Sequence, residues 1–340
     1  MSIALDIGTS RLRSVRREGD ELVGRSVPAT FALVADDPSA RELLSRADIG
    51  FAVGEGELAL VGEAALRHAA TFRSTPLRLL PGGLVPADDP PARQILGMLV
   101  ESLLPEADTP GGLCGLCGLI LSDAAITDKT SREFISRLVW MRGYEPVLLS
   151  ATHAIALATL STDGFTGVAL SLGAGGCSLG LIHRSRELAF GSDSRGTDWI
   201  DARLAAGEKC FTYNVAGERY LDTESIRRRR ESLGDPLNQP AGTFGVQVAD
   251  RYRELLESTL TSFADRLAHE RLGPFAGPLT VVCAGGGARA AGFAELVSSL
   301  LASTDLPFDV DAVRVHPSDD YLVARGGLIH AELEVTCAAA

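Results

Sequence analysis

Apolar and polar positions run in short alternating blocks at the start of the chain and in longer helical stripes further on. "SIALDIGTSRLRSVRREGDELVGRS" reads as an apolar strand, a turn of small residues, a second strand, a polar turn and a third strand. Near the chain midpoint, "GVALSLGAGGCSLGLIHRSRELAFGS" has the same layout. In both copies an apolar run ends in a polar residue, an aliphatic one and a glycine: Asp6-Ile7-Gly8 and Ser171-Leu172-Gly173. Two such meanders half a chain apart predict a duplicated domain whose glycine turns face each other. Helical spacing appears in "ARQILGMLVESLL", "SREFISRLVWMRG", "ATHAIALATL" and the long "TFGVQVADRYRELLESTLTSFADRLAHERLG", with "EPVLLS" as a short strand. A further strand, "LTVVCA", breaks into Gly285-Gly286-Gly287 and then a helix pattern. The alternation predicts an α/β class.

Composition narrows the function classes. A chain of 340 residues is too long for one small core and suits two or three domains. A net charge of -12 argues against nucleic acid as a partner and gives no general attraction to anionic lipid. No apolar run is long enough to span a bilayer, and no secretory signal precedes the first strand pattern, so membrane attachment is not indicated. Of the six cysteines only Cys114 and Cys117 are close. They read as part of a buried apolar strand rather than a zinc or redox pair, which fits a reducing, cytoplasmic location. The run Arg227 to Arg230 reads as a solvated helix face.

The chemistry concentrates in the three glycine turns. Glycine lets backbone N–H groups approach a ligand without a Cβ in the way. A helix starting just after such a turn favours an anion or a polar ring. Asp6 adds a carboxylate at the first turn, where the matching position in the second copy is Ser171.

With these motifs in order, the chain resembles the actin, heat-shock chaperone and sugar kinase superfamily, and most of all the bacterial actin MreB and its relatives. "LDIGTSRLR" is similar to the first phosphate loop, "LSLGAGGCSLGL" to the second and "CAGGGARAAGF" to the adenosine loop. "RGTDWIDARL" resembles the segment after the second meander, at Gly196, Asp198 and Asp201, and "TESIRRRRESLG" resembles a helix flanking the nucleoside. The resemblance covers nearly the whole chain. It implies an actin-like fold, two duplicated α/β domains forming four subdomains around a nucleotide cleft. Domain I is expected at 1–145 plus 320–340, with an insertion at about 28–74. Domain II is expected at 146–319, with an insertion at about 186–243.

The resemblance also implies ATP or ADP with Mg2+. Asp6 is then the catalytic and metal carboxylate. Gly8, Thr9, Ser10 and Arg11 face the phosphates, with Gly173, Ala174, Gly175 and Gly176 opposite. Gly285, Gly286, Gly287 and Arg289 approach the adenosine, Glu224 accepts a ribose hydroxyl and Arg227 lies over the base. Two positions depart from the family pattern. Ser171 stands where an aspartate is usual, and Ala151 where a glutamate orients the attacking water. The implied outcome is retained nucleotide binding with slow or impaired hydrolysis, with His153 as a candidate substitute base. The implied function is a bacterial actin-like cytoskeletal protein whose partner is another copy of itself in a filament. The alternative is a non-polymerising scaffold or pseudo-ATPase of the same superfamily. The stretch "STDLPFDVDAVRVHPSDD" reads as an exposed loop near a polymer contact of that family.

Overall fold

The computed structural model describes residues 2–54, 56–107, 115–213, 217, 219–316 and 319–338. The first meander forms the antiparallel strands Ile3–Ile7, Arg11–Glu18 and Glu21–Pro28. Gly115–Leu121 and then Tyr144–Ser150 add in parallel on the other side of Ile3–Ile7, completing a five-stranded sheet. The second meander repeats this arrangement with Gly167–Leu172, Cys177–His183 and Arg186–Asp193. Leu279–Ala284 and Val310–Val315 are its parallel additions, again giving five strands in the same order and sense. The central strands are mostly apolar because helices cover both faces; every residue of Ile3–Ile7 and of Leu279–Ala284 is buried, Asp6 and Thr280 included.

Helices Pro90–Leu103 and Lys129–Met141 pack their apolar stripes on one face of the first sheet. Gly242–His269, Phe293–Ala302 and Thr197–Glu208 do so on the second. Short polar residues stop the backbone donors at the helix starts from being orphaned. Asp89 accepts from Ala92 N at 2.9 Å, Asp128 from Ser131 N at 2.7 Å and Ser150 from His153 N at 3.0 Å.

Two helices cross between the halves. Ala151–Thr159 follows the last strand of the first sheet, yet its Ile155 and Ala156 pack with Ala169, Ile182 and Val282 of the second. Leu322–Ala338 follows the second sheet, yet its Ala324 and Leu328 pack with Ala4, Val15 and Ile120 of the first. The crossing is as close as backbones allow. A Cβ on Gly326 would lie 1.8 Å from the Ala154 carbonyl oxygen, and one on Gly118 would lie 2.0 Å from that of Gly327. This exchange brings the glycine-turn ends of both sheets to one cleft.

Each half carries an insertion. In the first, Thr30–Ala35, Ala52–Val53, Glu57–Val61 and Leu77–Arg78 form a four-stranded sheet over a separate small core around Leu44, Leu58 and Leu60. In the second, the hairpin Phe211–Tyr213 with Arg219–Leu221 leads into helix Thr223–Glu231. Among the described residues no helix is long and apolar enough to cross a membrane.

Several local expectations are corrected. The boundary placed between 145 and 146 falls inside strand Tyr144–Ser150, which belongs to the first sheet. Arg186–Asp193, assigned to the second insertion, is the third strand of the second sheet, because its alternating residues continue the meander ladder. The stretch read as a loop at 303–320 carries edge strand Val310–Val315, paired with Leu279–Ala284. Its residues are only half-buried, which made the pattern look like loop. Cys117 is wholly buried in strand Gly115–Leu121, where burial pushes its thiol pKa upward; Cys114 lies outside the described residues.

The arginine run is not uniformly solvated. Arg228 and Arg229 stay exposed, Arg229 with its guanidinium 3.7 Å over the Phe244 ring, but Arg230 is buried against Asp201. A helix carrying four successive cations necessarily turns some of them inward, and a buried one survives only with a partner.

Candidate functional site

A cleft of about 810 Å³ opens between the two halves. Its floor is made where the sheets end in glycine turns. The first strand runs through Asp6 into Gly8, whose added Cβ would meet the Arg11 carbonyl oxygen at 2.7 Å. The second runs through Ser171 into Gly173, closed by Gly173 N donating to Gly176 O at 2.9 Å. Helix Thr197–Glu208 starts directly against this turn, with Thr197 N on Gly173 O and Asp198 N on Ala174 O, each at 3.0 Å. The two turns touch across the cleft: a Cβ on Gly175 would lie 2.3 Å from Thr9 Oγ1. Gly285, at φ +103°, lies so close to Leu172 that a side chain there would strike its carbonyl oxygen at 2.3 Å. Only glycine fits that backbone.

The anticipated residues fall into two groups. Asp6, Gly8, Thr9, Ser10, Arg11, Ala151, Ser171, Gly173, Ala174, Gly175, Gly176, Arg227, Gly285, Gly286 and Arg289 all line the cleft. Gly287 does not; it is buried beneath the turn, its Cβ position 2.5 Å from Leu172 Cγ, so its role here is packing. Glu224 does not line it either. Its carboxylate holds Arg227 Nη2 at 2.8 Å and Arg228 Nε at 2.9 Å, so it orients Arg227 instead of facing the cleft. His153 also lies outside, its Nε2 2.9 Å from Ser185 O and its ring 5.4 Å from that of His330. His153 is therefore not placed to act as a substitute base in the cleft.

Charge in the cleft is arranged in pairs. Asp6, 9% exposed, has Arg13 Nη1 at 3.5 Å. Burial pushes the Asp6 carboxyl pKa up, and the Arg13 guanidinium only partly opposes it. Arg78, on the first insertion, grips Asp198 of the second half with two bonds of 2.7 and 3.1 Å across the cleft. Arg11 reaches Ser26 at 2.9 Å, and Arg289 reaches Asp320 at 2.6 Å. Two buried donors, Arg13 Nε and Arg227 Nε, have no hydrogen-bond partner, and both side chains line the cleft. Unsatisfied buried donors are costly. Among the described residues no cluster of three or more His, Cys, Asp or Glu side chains forms a ready-made metal site.

Sequence reasoning passed over Asp123. It opens the short helix Asp123–Thr127 after strand Gly115–Leu121 and lines the cleft, facing Ser178 of the other half. Burial, together with nearby Glu187, raises its pKa to about 6 from an ordinary 3.8. A signal was present: "LILSD" ends an apolar strand in an acid, as "ALDIG" does. The sign of the stability effect follows from which state keeps the proton. Between about pH 4 and 6 the native chain keeps one that the unfolded chain has released, so stability falls as pH rises through that window. Urea titrations at several pH values are expected to show this fall in the unaltered protein and a flatter profile in Asp123→Asn.

The sequence model of the Volactin family matches residues 1–331. No curated protein matches the chain. Among solved structures, a MamK double helical filament is similar with a TM-score of 0.64 at 16% identity, covering 98% of this chain and 99% of that one. MreB5 of Spiroplasma citri bound to AMPPNP is similar with a TM-score of 0.60 at 14% identity, covering 99% and 98%. Its ADP-bound form gives 0.59 at 15%, again covering 99% and 98%. At these identities the likeness establishes the actin-like fold.

Proposed function

The chain belongs to the Volactin family, and from that premise we propose that it is an actin-like cytoskeletal protein that binds ATP in the cleft and assembles into filaments with slow hydrolysis. The observation that carries this is the pair of glycine turns from duplicated sheets meeting face to face, Thr9 against Gly175. Phosphates suit that gap because backbone N–H groups and small side chains line it from both walls. The cationic side chains of Arg13 and Arg227, which line the cleft, also suit an anionic ligand. The likeness to a MamK filament and to nucleotide-bound MreB5 supports the same reading.

In this reading Gly8, Thr9 and Ser10 hold the phosphates from one side and Gly173 to Gly176 from the other. Gly285 and Gly286 approach the nucleoside backbone-first, and Arg227, held by Glu224, lies against it. Mg2+ fits a site of this kind, since it keeps several waters and takes one or two carboxylates plus substrate phosphates. Asp6 is the side chain that would hold it, directly or through water. When bound with the nucleotide, the ion supplies positive charge to the phosphate oxygens. Ser171 can donate to or accept from such a water but adds no charge, and Ala151 adds nothing. Hydrolysis is therefore slow while the grip persists.

The test is high-speed pelleting of the purified protein with ATP, with a non-hydrolysable analogue and without nucleotide, with electron microscopy of the pellets. Ordered filaments are expected with both nucleotides. The missing acids at Ser171 and Ala151 also favour a second reading, a non-polymerising nucleotide-binding scaffold. A protein that binds nucleotide yet stays soluble at every concentration would select it, and failure to bind any nucleotide would overturn both.

A further inference from the structure

The position left without an acid has one beside it. Ser171 is paired across the antiparallel ladder with Ser178, and Ser178 is 5% exposed. Ser178 faces the carboxylate of Asp123, which comes from the opposite half of the molecule, and both line the cleft. Asp123 stands just past strand Gly115–Leu121, whose Ile120 is paired with Asp6. One carboxylate thus stands near both positions: it opens the helix that follows the strand beside the retained acid, and it faces the residue paired with the lost one. Glu187, the other acid near it, is engaged elsewhere, accepting from Ser150 at 2.8 Å and Thr152 at 2.6 Å. Asp123 lines the cleft, so it is open to a ligand there.

We propose that Asp123 stands in for the carboxylates absent at Ser171 and Ala151, accepting the proton of the water that attacks the terminal phosphoryl group of a nucleoside triphosphate bound in the cleft. This rests on the reading of the cleft as a nucleoside triphosphate site. The water oxygen forms a bond to the terminal phosphorus. The bond from that phosphorus to the bridging oxygen breaks, and its electron pair stays with the diphosphate. The proton leaving the water passes to an Asp123 carboxylate oxygen. The products are a nucleoside diphosphate and inorganic phosphate. The buried setting makes this carboxylate a stronger proton acceptor than an exposed one while leaving it charged at neutral pH.

The competing role for Asp123 is a latch holding the two halves together through Ser178. Asparagine separates the two, because its amide oxygen still accepts from Ser178 but cannot take up a proton. The experiment uses the full chain, with Asp123→Asn and Asp123→Ala, equilibrium titration with a fluorescent ATP analogue, and phosphate release in a single turnover with protein in excess. Circular dichroism checks the fold; should either variant fail to fold, the other carries the rate measurement. Both variants are expected to bind the analogue no more weakly than the unaltered chain, yet to release phosphate on the order of 100-fold more slowly or at background. Normal release by Asp123→Asn with loss in Asp123→Ala would mean a latch and overturn the proposal. So would an unaltered chain that binds nucleotide and releases no phosphate. An unaltered chain that binds no nucleotide overturns the reading of the cleft and the proposal with it.

Discussion

Gly175→Val is expected to weaken nucleotide binding by roughly 10- to 100-fold. The two glycine turns meet at this residue. A Cβ there would come within 2.3 Å of Thr9 Oγ1 and 3.2 Å of the Gly83 backbone nitrogen. Thr9 is 6% exposed and cannot swing clear. A branched side chain must therefore push the two walls apart. Overpacking of this kind costs about 1–3 kcal/mol, and each 1.4 kcal/mol is about tenfold in affinity. Gly176→Ala, on the same turn, places its Cβ 3.2 Å from the Asp193 carbonyl and is expected to have a smaller effect. Titration of both variants with a fluorescent nucleotide checks the ordering. A Gly175→Val protein with native circular dichroism and unchanged affinity would show that the phosphates do not sit between these turns.

Asp201→Ala is expected to remove about 3–5 kcal/mol from the stability of the second half, the range for breaking one side of a buried ion pair. Arg230 donates to Asp201 at 2.6 and 3.0 Å and to the Tyr252 hydroxyl at 3.1 Å. Their side chains are 7% and 2% exposed for Arg230 and Asp201, so alanine leaves a buried guanidinium with only the solvent-exposed Glu231 carboxylate, 3.8 Å away, as counter-charge. The pair links helices Thr197–Glu208 and Thr223–Glu231 to Gly242–His269, and so ties the second insertion to its sheet. A chain of two halves need not unfold in one step, so a local reporter is needed. Trp199 lies in the first of these helices, and Trp140→Phe removes the other tryptophan. Its fluorescence during urea unfolding is expected to shift to lower denaturant in Asp201→Ala. Replacing both partners, as in Asp201→Leu with Arg230→Met, is expected to recover much of the loss, because no charge is then stranded.

Neighbouring residues in the chain carried the main architecture. The two meanders are legible because strand alternation and turn residues are local, and because the layout repeats with Asp6-Ile7-Gly8 matched by Ser171-Leu172-Gly173. The turns that line the cleft were legible for the same reason. Glu224 was read as a ligand contact, yet its spacing to Arg227 and Arg228 already allowed the helix-surface pairs it makes. Gly287 could not be separated from Gly285 and Gly286 by pattern, since a glycine needed for packing and one needed for a ligand look the same in a triplet.

By itself the sequence determined the duplicated α/β architecture and the glycine turns, which rest on residue type and short-range periodicity; that Ser171 and Ala151 stand at positions of acids is what the family resemblance implies. Only the tertiary structure decided which charges meet. The two crossing helices bring together segments far apart in the chain. That is how Asp123 reaches Ser178, Arg78 reaches Asp198, and His153 ends up beside His330 instead of in the cleft. Whether a buried charge is partnered depends on distances across the fold, and those are set by how the two halves pack.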